Sequence, residues 1–314
     1  MSRIRFGLQG SGQLVEGIPD PGFFRAAAEL AEEIGYDSIW AGDHISFGNP
    51  ILDVTVALAT FAAVTSRITI GAGIVLLPLR HPSLVAKEFA SLDYVSGGRL
   101  VLGVGVGGES SKDFEAVGVP IEERGARANE SLRALRELFR GPEASFSGRF
   151  FRFEGITIEP PPTQPGGPPL WVGGRAAAAR RRAALLGDGW MPIWISPERF
   201  AEGWDDVRRQ ATEAGREADG LAGAVVLPAR VEDDGARARA RLAEHLALRY
   251  RMEVTPHHVE RYCLAGTPAE CGARLSAYAG AGARHVIFNL CCSPGELPGQ
   301  AERLFADVAA AAAT

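Results

Sequence analysis

Four short stretches carry residues whose type and spacing could do chemistry. The first is Trp40-Ala41-Gly42-Asp43-His44. Neighbours on a regular strand point to opposite faces, so Asp43 and His44 reach one rim only if a strand ends near Gly42. A histidine beside a carboxylate can serve as an acid/base pair or proton relay. The plainer alternative is a loop aspartate capping backbone amides beside a solvated histidine. In Gly71-Ala72-Gly73-Ile74-Val75, glycines interrupt an apolar run. That weakens a strand unless the backbone bulges or approaches something closely. The pattern predicts a bulge against a flat ligand, with room for an outer helix as the alternative.

Gly103-Val104-Gly105-Val106-Gly107-Gly108-Glu109 contains G-x-G-x-x-G when read literally. A dinucleotide fingerprint needs a full helix at its last glycine, in the first strand–helix unit, so that the helix end meets a pyrophosphate. Here about two turns precede the break at Gly118-Val119-Pro120, and the unit is the fourth, so the dinucleotide reading is rejected. Glycines on one strand face would instead leave a bed for a planar ring, with Glu109 at the rim, either solvated or acting. Finally, Gly173-Gly174-Arg175 directly precedes a helical pattern. Free amides and an arginine there suit a phosphate, and a tight turn alone is the alternative. Arg180, Arg181 and Arg182 read as a solvated helix face. No HExxH or GxSxG occurs, and His257 and His258 are not at metal-ligand spacing with Cys263, so metal catalysis and serine hydrolysis have no support.

The elements that must position these stretches alternate from end to end. Apolar runs at 3–10, 37–42, 67–77, 99–107, 170–173, 190–193, 222–231 and 285–290 read as eight strands. Helical periodicity follows each, for example at 21–35, 51–64, 82–95, 124–139, 176–186 and 197–216. Residues 234–250 and 268–280 continue it, the latter opened by the capping box Thr267-Pro268-Ala269-Glu270, and an alanine-rich helix closes the chain. Between the fourth and fifth strands lies an excursion with a hairpin pattern at 145–158 and a proline-rich connector at 160–169. Strands apolar on both faces belong to parallel sheets. The expectation is one α/β domain over residues 1–314, a (β/α)8 TIM barrel with an insertion between strands 4 and 5. An open doubly wound sheet is the competitor.

The chain has 314 residues, 46% hydrophobic and 23% charged, with a formal net charge of −5. That length buries a large core without disulfides, and the acidic balance argues against nucleic acid or an anionic membrane as partner. No apolar run is long enough to span a bilayer, no secretory signal is visible, and the four cysteines show no CxxC spacing, so the expected location is a reduced cytoplasm. Only Lys87 and Lys112 among the 33 basic residues are lysine.

Taken together, the stretches resemble the bacterial luciferase-like family of flavin and deazaflavin oxidoreductases. Trp40–His44, Ser66-Arg67-Ile68-Thr69-Ile70-Gly71-Ala72-Gly73, Leu77-Pro78-Leu79-Arg80-His81-Pro82, Gly98-Arg99-Leu100 and Gly103–Glu109 carry the resemblance. So do Phe114-Glu115-Ala116-Val117-Gly118-Val119-Pro120, Glu123-Arg124-Gly125, Leu170–Gly174 and Gly187-Asp188-Gly189-Trp190. It covers essentially the whole chain and is nearest to the branch that uses coenzyme F420. The resemblance implies a hydride transfer between F420 and a small organic substrate, with His44 as acid/base and Glu109 as its carboxylate partner. It implies coenzyme contacts from Asp43, Gly73, Ile74, Val106, Gly107, Gly173, Gly174 and Arg175, a non-prolyl cis peptide at Gly73–Ile74, and a homodimer. The alternative within the family is an FMN-dependent monooxygenase using dioxygen and a separate flavin reductase. The lysines that hold a sugar phosphate in the glucose-6-phosphate dehydrogenase members are missing. An apolar mouth near Phe47, Leu76 and Trp194 implies a less charged substrate.

Overall fold

Strands form where the apolar runs are continuous, because a parallel sheet is covered on both faces. The computed structural model describes residues 3–10 and 17–309. Residues 310–314 of the expected closing helix, and Met1 and Ser2, lie outside the described residues.

The chain opens with β1 (Arg5–Gln9), α1 (Phe23–Ile34), β2 (Ser38–Ala41), α2 (Val54–Val64), β3 (Thr69–Leu76), α3 (Pro82–Ser96) and β4 (Leu100–Gly105). Next come α4 (Ser111–Ala116), α5 (Arg124–Arg140) and an antiparallel hairpin, β5 (Ala144–Ser147) with β6 (Arg152–Ile156). The alternation resumes with β7 (Leu170–Gly173), α6 (Ala177–Leu186), β8 (Gly189–Met191), α7 (Pro197–Glu213), β9 (Ala222–Val231) and α8 (Gly235–Tyr250). Last are α9 (Pro256–Tyr262), β10 (Leu264–Gly266), α10 (Pro268–Gly280), β11 (His285–Leu290) and α11 (Leu297–Arg303).

Among the described residues, eight parallel strands run in the order β1-β2-β3-β4-β7-β8-β9-β11, and β11 returns to β1. The sheet is closed, so the doubly wound alternative falls. One strand was not expected. β10 pairs with the last residues of β9, Ala229 to Val231, while β8 holds the first, Ala222 and Gly223. Three residues are too few to show a period, which is why β10 does not stand out in the sequence. The insertion is also smaller than the excursion suggested. α5 packs against α3 and α6 as a member of the outer ring, leaving α4, the hairpin and the connector as surplus.

Two apolar layers hold the barrel. A large cluster fills the space between strands and helices, with Phe61, Phe89, Leu102, Val172 and Phe288 among its buried members. A smaller one plugs the bore: Trp40 and Trp171 stack with centroids 5.4 Å apart, joined by Val101, Met191, Val226 and Ile287. Arg182 on α6 corrects the reading of a solvated arginine face. It is buried, and its Nε donates to Asn129 Oδ1 at 2.7 Å.

Candidate active site

The bore is plugged below, so open space remains at the C-terminal ends of the strands, where barrel sites form. An inner cavity of roughly 220 Å³ lies there, and Glu109 and Tyr250 line both it and a wider cleft of roughly 850 Å³ beside it. Asp43, His44, Gly73, Ile74, Val106, Gly107, Glu109, Gly173 and Gly174 all line the inner cavity. These residues come from the ends of β2, β3, β4 and β7. Arg175 does not line it. It faces the wider cleft, where its Nη1 donates to the carbonyl of Trp194 at 3.1 Å.

β3 is bulged where expected. The pairing with β4 runs Ala72↔Leu102 and then Val75↔Val104, so Gly73 and Ile74 together oppose one residue, and their peptide is cis. The glycines of β4, however, are not a bed for a ring. A Cβ at Gly105 would overlap Ile74 Cδ1, and one at Gly103 would overlap the carbonyl oxygen of Ala72. A Cβ at Gly173 would come within 3.0 Å of the same Ile74 Cδ1. The protein's own bulge occupies the space these glycines leave. Ile74 is thereby held as a partly buried apolar surface facing the cavity.

His44 is the most tightly organised polar group. Its Nδ1 lies 2.8 Å from Asp113 Oδ2, and Asp113 Oδ1 accepts the N–H groups of Ile45 and Ser46 at 2.8 and 2.7 Å. Asp113 is fully buried in the first turn of α4. A carboxylate can only accept, so Nδ1 carries the proton and Nε2 is left facing Glu109, whose Oε2 is 3.7 Å away. That separation is an ion-pair distance rather than a hydrogen bond. Phe47 stacks on the imidazole at 4.2 Å between centroids. Burial works against the imidazolium, but Glu109 and Asp113 outweigh it and raise His44 above the ordinary histidine range.

Asp43 lines the cavity, but both of its oxygens are engaged by the protein. Oδ2 accepts the N–H of Leu76 at 3.0 Å, and Oδ1 accepts from Arg80 Nη2 at 2.7 Å. Burial pushes this carboxyl up while Arg80 and the Leu76 amide pull it down. Asp43 therefore fastens the exit of the β3 bulge to the end of β2. Neither lysine lines the cavity or the cleft; Lys112 pairs with Glu115 on the surface.

A barrel with a strand-end cavity and a bulged β3 is what the sequence motifs implied together; the carboxylate that holds His44, Asp113, is not the one they offered. Residues 4–285 match the family described as luciferase-like monooxygenase. The chain belongs to that family. This luciferase-like chain is 26% identical over 304 residues to an F420-dependent glucose-6-phosphate dehydrogenase of Kineococcus radiotolerans, covering 88% of each. It is 32% identical over 250 residues to 4-hydroxyprotoasukamycin monooxygenase of Streptomyces nodosus subsp. asukaensis, covering 77% of this chain and 65% of that one. Among solved structures, monooxygenase RslO1 of Streptomyces bottropensis is similar with a TM-score of 0.85 at 26% identity, over 97% of this chain and 98% of that one.

Several cavity residues of this luciferase-like barrel escape a reading of motifs. Asp113 carries no local signal, since it sits on a helix of six residues, 69 positions from His44. Gln9 and Asn289 were findable: each is a polar residue that follows an apolar run near the C-terminal end of its strand, and both line the cavity. Arg249 and Tyr250 come from the last turn of α8 and complete the wall.

Proposed function

We propose that this protein is a coenzyme F420-dependent oxidoreductase acting on a small organic substrate, with a single catalytic domain over the chain. The observation that carries the reading is the His44–Asp113 pair presenting Nε2 to a cavity walled by Ile74 and by strand-end glycines. The residues present fit the coenzyme. Ile74, Leu76, Val106 and Met191 offer an apolar wall for a tricyclic ring. Gly173 and Gly174 lead to α6, whose N-cap Ala176 makes no side-chain bond, so its first amides are available to a phosphate beside Arg175. When bound, F420 supplies or accepts a hydride at C5 of its ring.

The chain's own residues do the rest. Ile74, seated in the space that the glycines of β4 and β7 leave, would set the position of the ring. His44 gives or takes a proton at the substrate oxygen through Nε2. Asp113 fixes the tautomer and favours the imidazolium, and Glu109 at the rim adds negative charge beside it. Neither lysine lines the cavity or the cleft, and although arginine can stand in as a charge, a sugar phosphate is not the substrate these residues indicate. Val56 on α2 and Leu84 and Val95 on the neighbouring α3 are exposed apolar side chains, and we take these helices as the place where a second copy of the chain docks.

The likeness to two monooxygenases favours a second reading, an FMN enzyme that uses dioxygen and a separate reductase. Parallel fluorescence titrations with F420 and FMN separate the two. F420 binding without FMN binding is expected; retained FMN with oxygen consumption would overturn the first reading. Within that reading, His44→Ala is expected to keep F420 affinity and lose turnover, and unchanged turnover would remove His44 from the mechanism.

A further inference from the structure

We propose that Trp194 is the specificity-determining wall of the substrate cleft, selecting a planar, uncharged, apolar compound such as an aryl ketone or its alcohol. The inference deepens the functional reading above and rests on it for the identity of the cleft as the reaction site.

Trp194 follows β8 and has φ +56°, a left-handed conformation that a bulky residue adopts only when its surroundings hold it there. Arg175 holds it, through the bond from Nη1 to its carbonyl. The indole so placed contacts Tyr250 at 5.7 Å and Tyr262 at 6.4 Å between centroids, both edge to face. Tyr250 in turn meets Phe47 at 6.4 Å, and Phe47 stacks on His44. A continuous run of rings thus leads from the wider cleft to the proton-transferring group. The indole is only partly buried and lines the wider cleft, so it offers ring surface on which a planar ligand can pack.

The charges of the wider cleft are compatible with this. Arg175, Arg180 and Arg199 line it together with Glu109 and Glu202, and Arg180 is paired with Asp206 at 2.7 Å. Three lining cations against two lining carboxylates leave one in excess, and Arg175 is the one assigned above to the coenzyme phosphate, so none is left over for an anionic substrate. Apolar side chains from Ile195, Met252 and Val254 complete the lining.

Calorimetric titration of the whole protein with 2-acetylnaphthalene, and with glucose 6-phosphate as the anionic control, tests this. F420 titrations run in parallel on wild type, Trp194→Phe, Trp194→Ala and Trp194→Gly. Loss of one stacked ring and its buried area is expected to weaken the naphthyl ketone about tenfold in Trp194→Ala and Trp194→Gly. Trp194→Phe restores most of that affinity, and F420 affinity changes by less than about twofold. Glycine adopts the positive φ without strain, so Trp194→Gly keeps the test valid if alanine fails to fold. Equal ketone affinity in wild type and Trp194→Gly overturns the proposal, as does tighter binding of glucose 6-phosphate than of the ketone. If F420 does not bind while the ketone still responds to residue 194, the coenzyme reading fails and the role of Trp194 stands.

Discussion

Replacing Asp113 with asparagine probes the chemistry while preserving shape. The asparagine oxygen can still accept from Ile45 and Ser46, which places its NH2 against His44 Nδ1. Nδ1 must then accept, and the ring proton moves to Nε2, the nitrogen facing the cleft. The negative charge that favours the imidazolium is lost as well, so the His44 pKa falls. General acid–base catalysis contributes about 10²–10⁴-fold, and turnover is expected to drop within that range. F420 affinity stays within about twofold, because Asp113 does not line the cavity. Hydrogen bonds to a charged group are worth about 1.5–3 kcal/mol, so unfolding free energy falls by a similar amount. The assay is steady-state turnover followed by deazaflavin absorbance across pH, with urea unfolding alongside. The limb of the pH profile that belongs to His44 moves to lower pH in the variant. Turnover within about twofold of wild type and an unmoved pH profile would refute the reasoning.

Other perturbations test the scaffold. Gly103→Ala drives a methyl group into the backbone carbonyl of Ala72 and is expected to cost about 1–3 kcal/mol in urea unfolding, whereas a cost near zero would mean the bulge can yield. Arg80→Met leaves Asp43 buried without its cation and should destabilise by about 3–5 kcal/mol, measured the same way; Asp43→Asn in the same chain should recover part of the loss. His285 is held down to about 3 by its complete burial, with Arg5 adding to the effect. Between about pH 6.5 and 3 the unfolded chain therefore binds a proton that the folded chain does not, and stability falls as pH falls through that window. The slope reaches about 1.4 kcal/mol per pH unit, and His285→Asn should reduce it by one proton. The dimer proposed above should sediment as a monomer on Leu84→Glu with Val95→Glu, and an unchanged sedimentation coefficient would refute an interface on these helices.

The fold was legible because it is made of local signals repeated eight times: an apolar run covered on both faces, then a helix of period 3.6. The strand ends were legible for the same reason, so Asp43, His44, Gly73, Ile74 and Glu109 could all be placed at one rim. What those residues do was not. Asp43 sits in the cavity but spends its oxygens on Leu76 and Arg80. The glycines of β4 and β7 accommodate Ile74 and a backbone carbonyl rather than a ligand ring. Asp113, which orients the histidine, reaches it from 69 residues away.

The difference has one physical cause. Periodicity and turn chemistry act between residues a few positions apart, and the chain's order alone carries them. Which atom fills a glycine's empty side, and which carboxylate meets an imidazole, depends on how closed strands and their loops approach one another. Sequence determined the barrel, the rim and the residue types available for proton transfer. Only the tertiary structure decided that His44 is bound through Nδ1, leaving Nε2 toward the cavity, because hydrogen bonding and steric exclusion act over a few ångströms of space, whatever the distance along the chain.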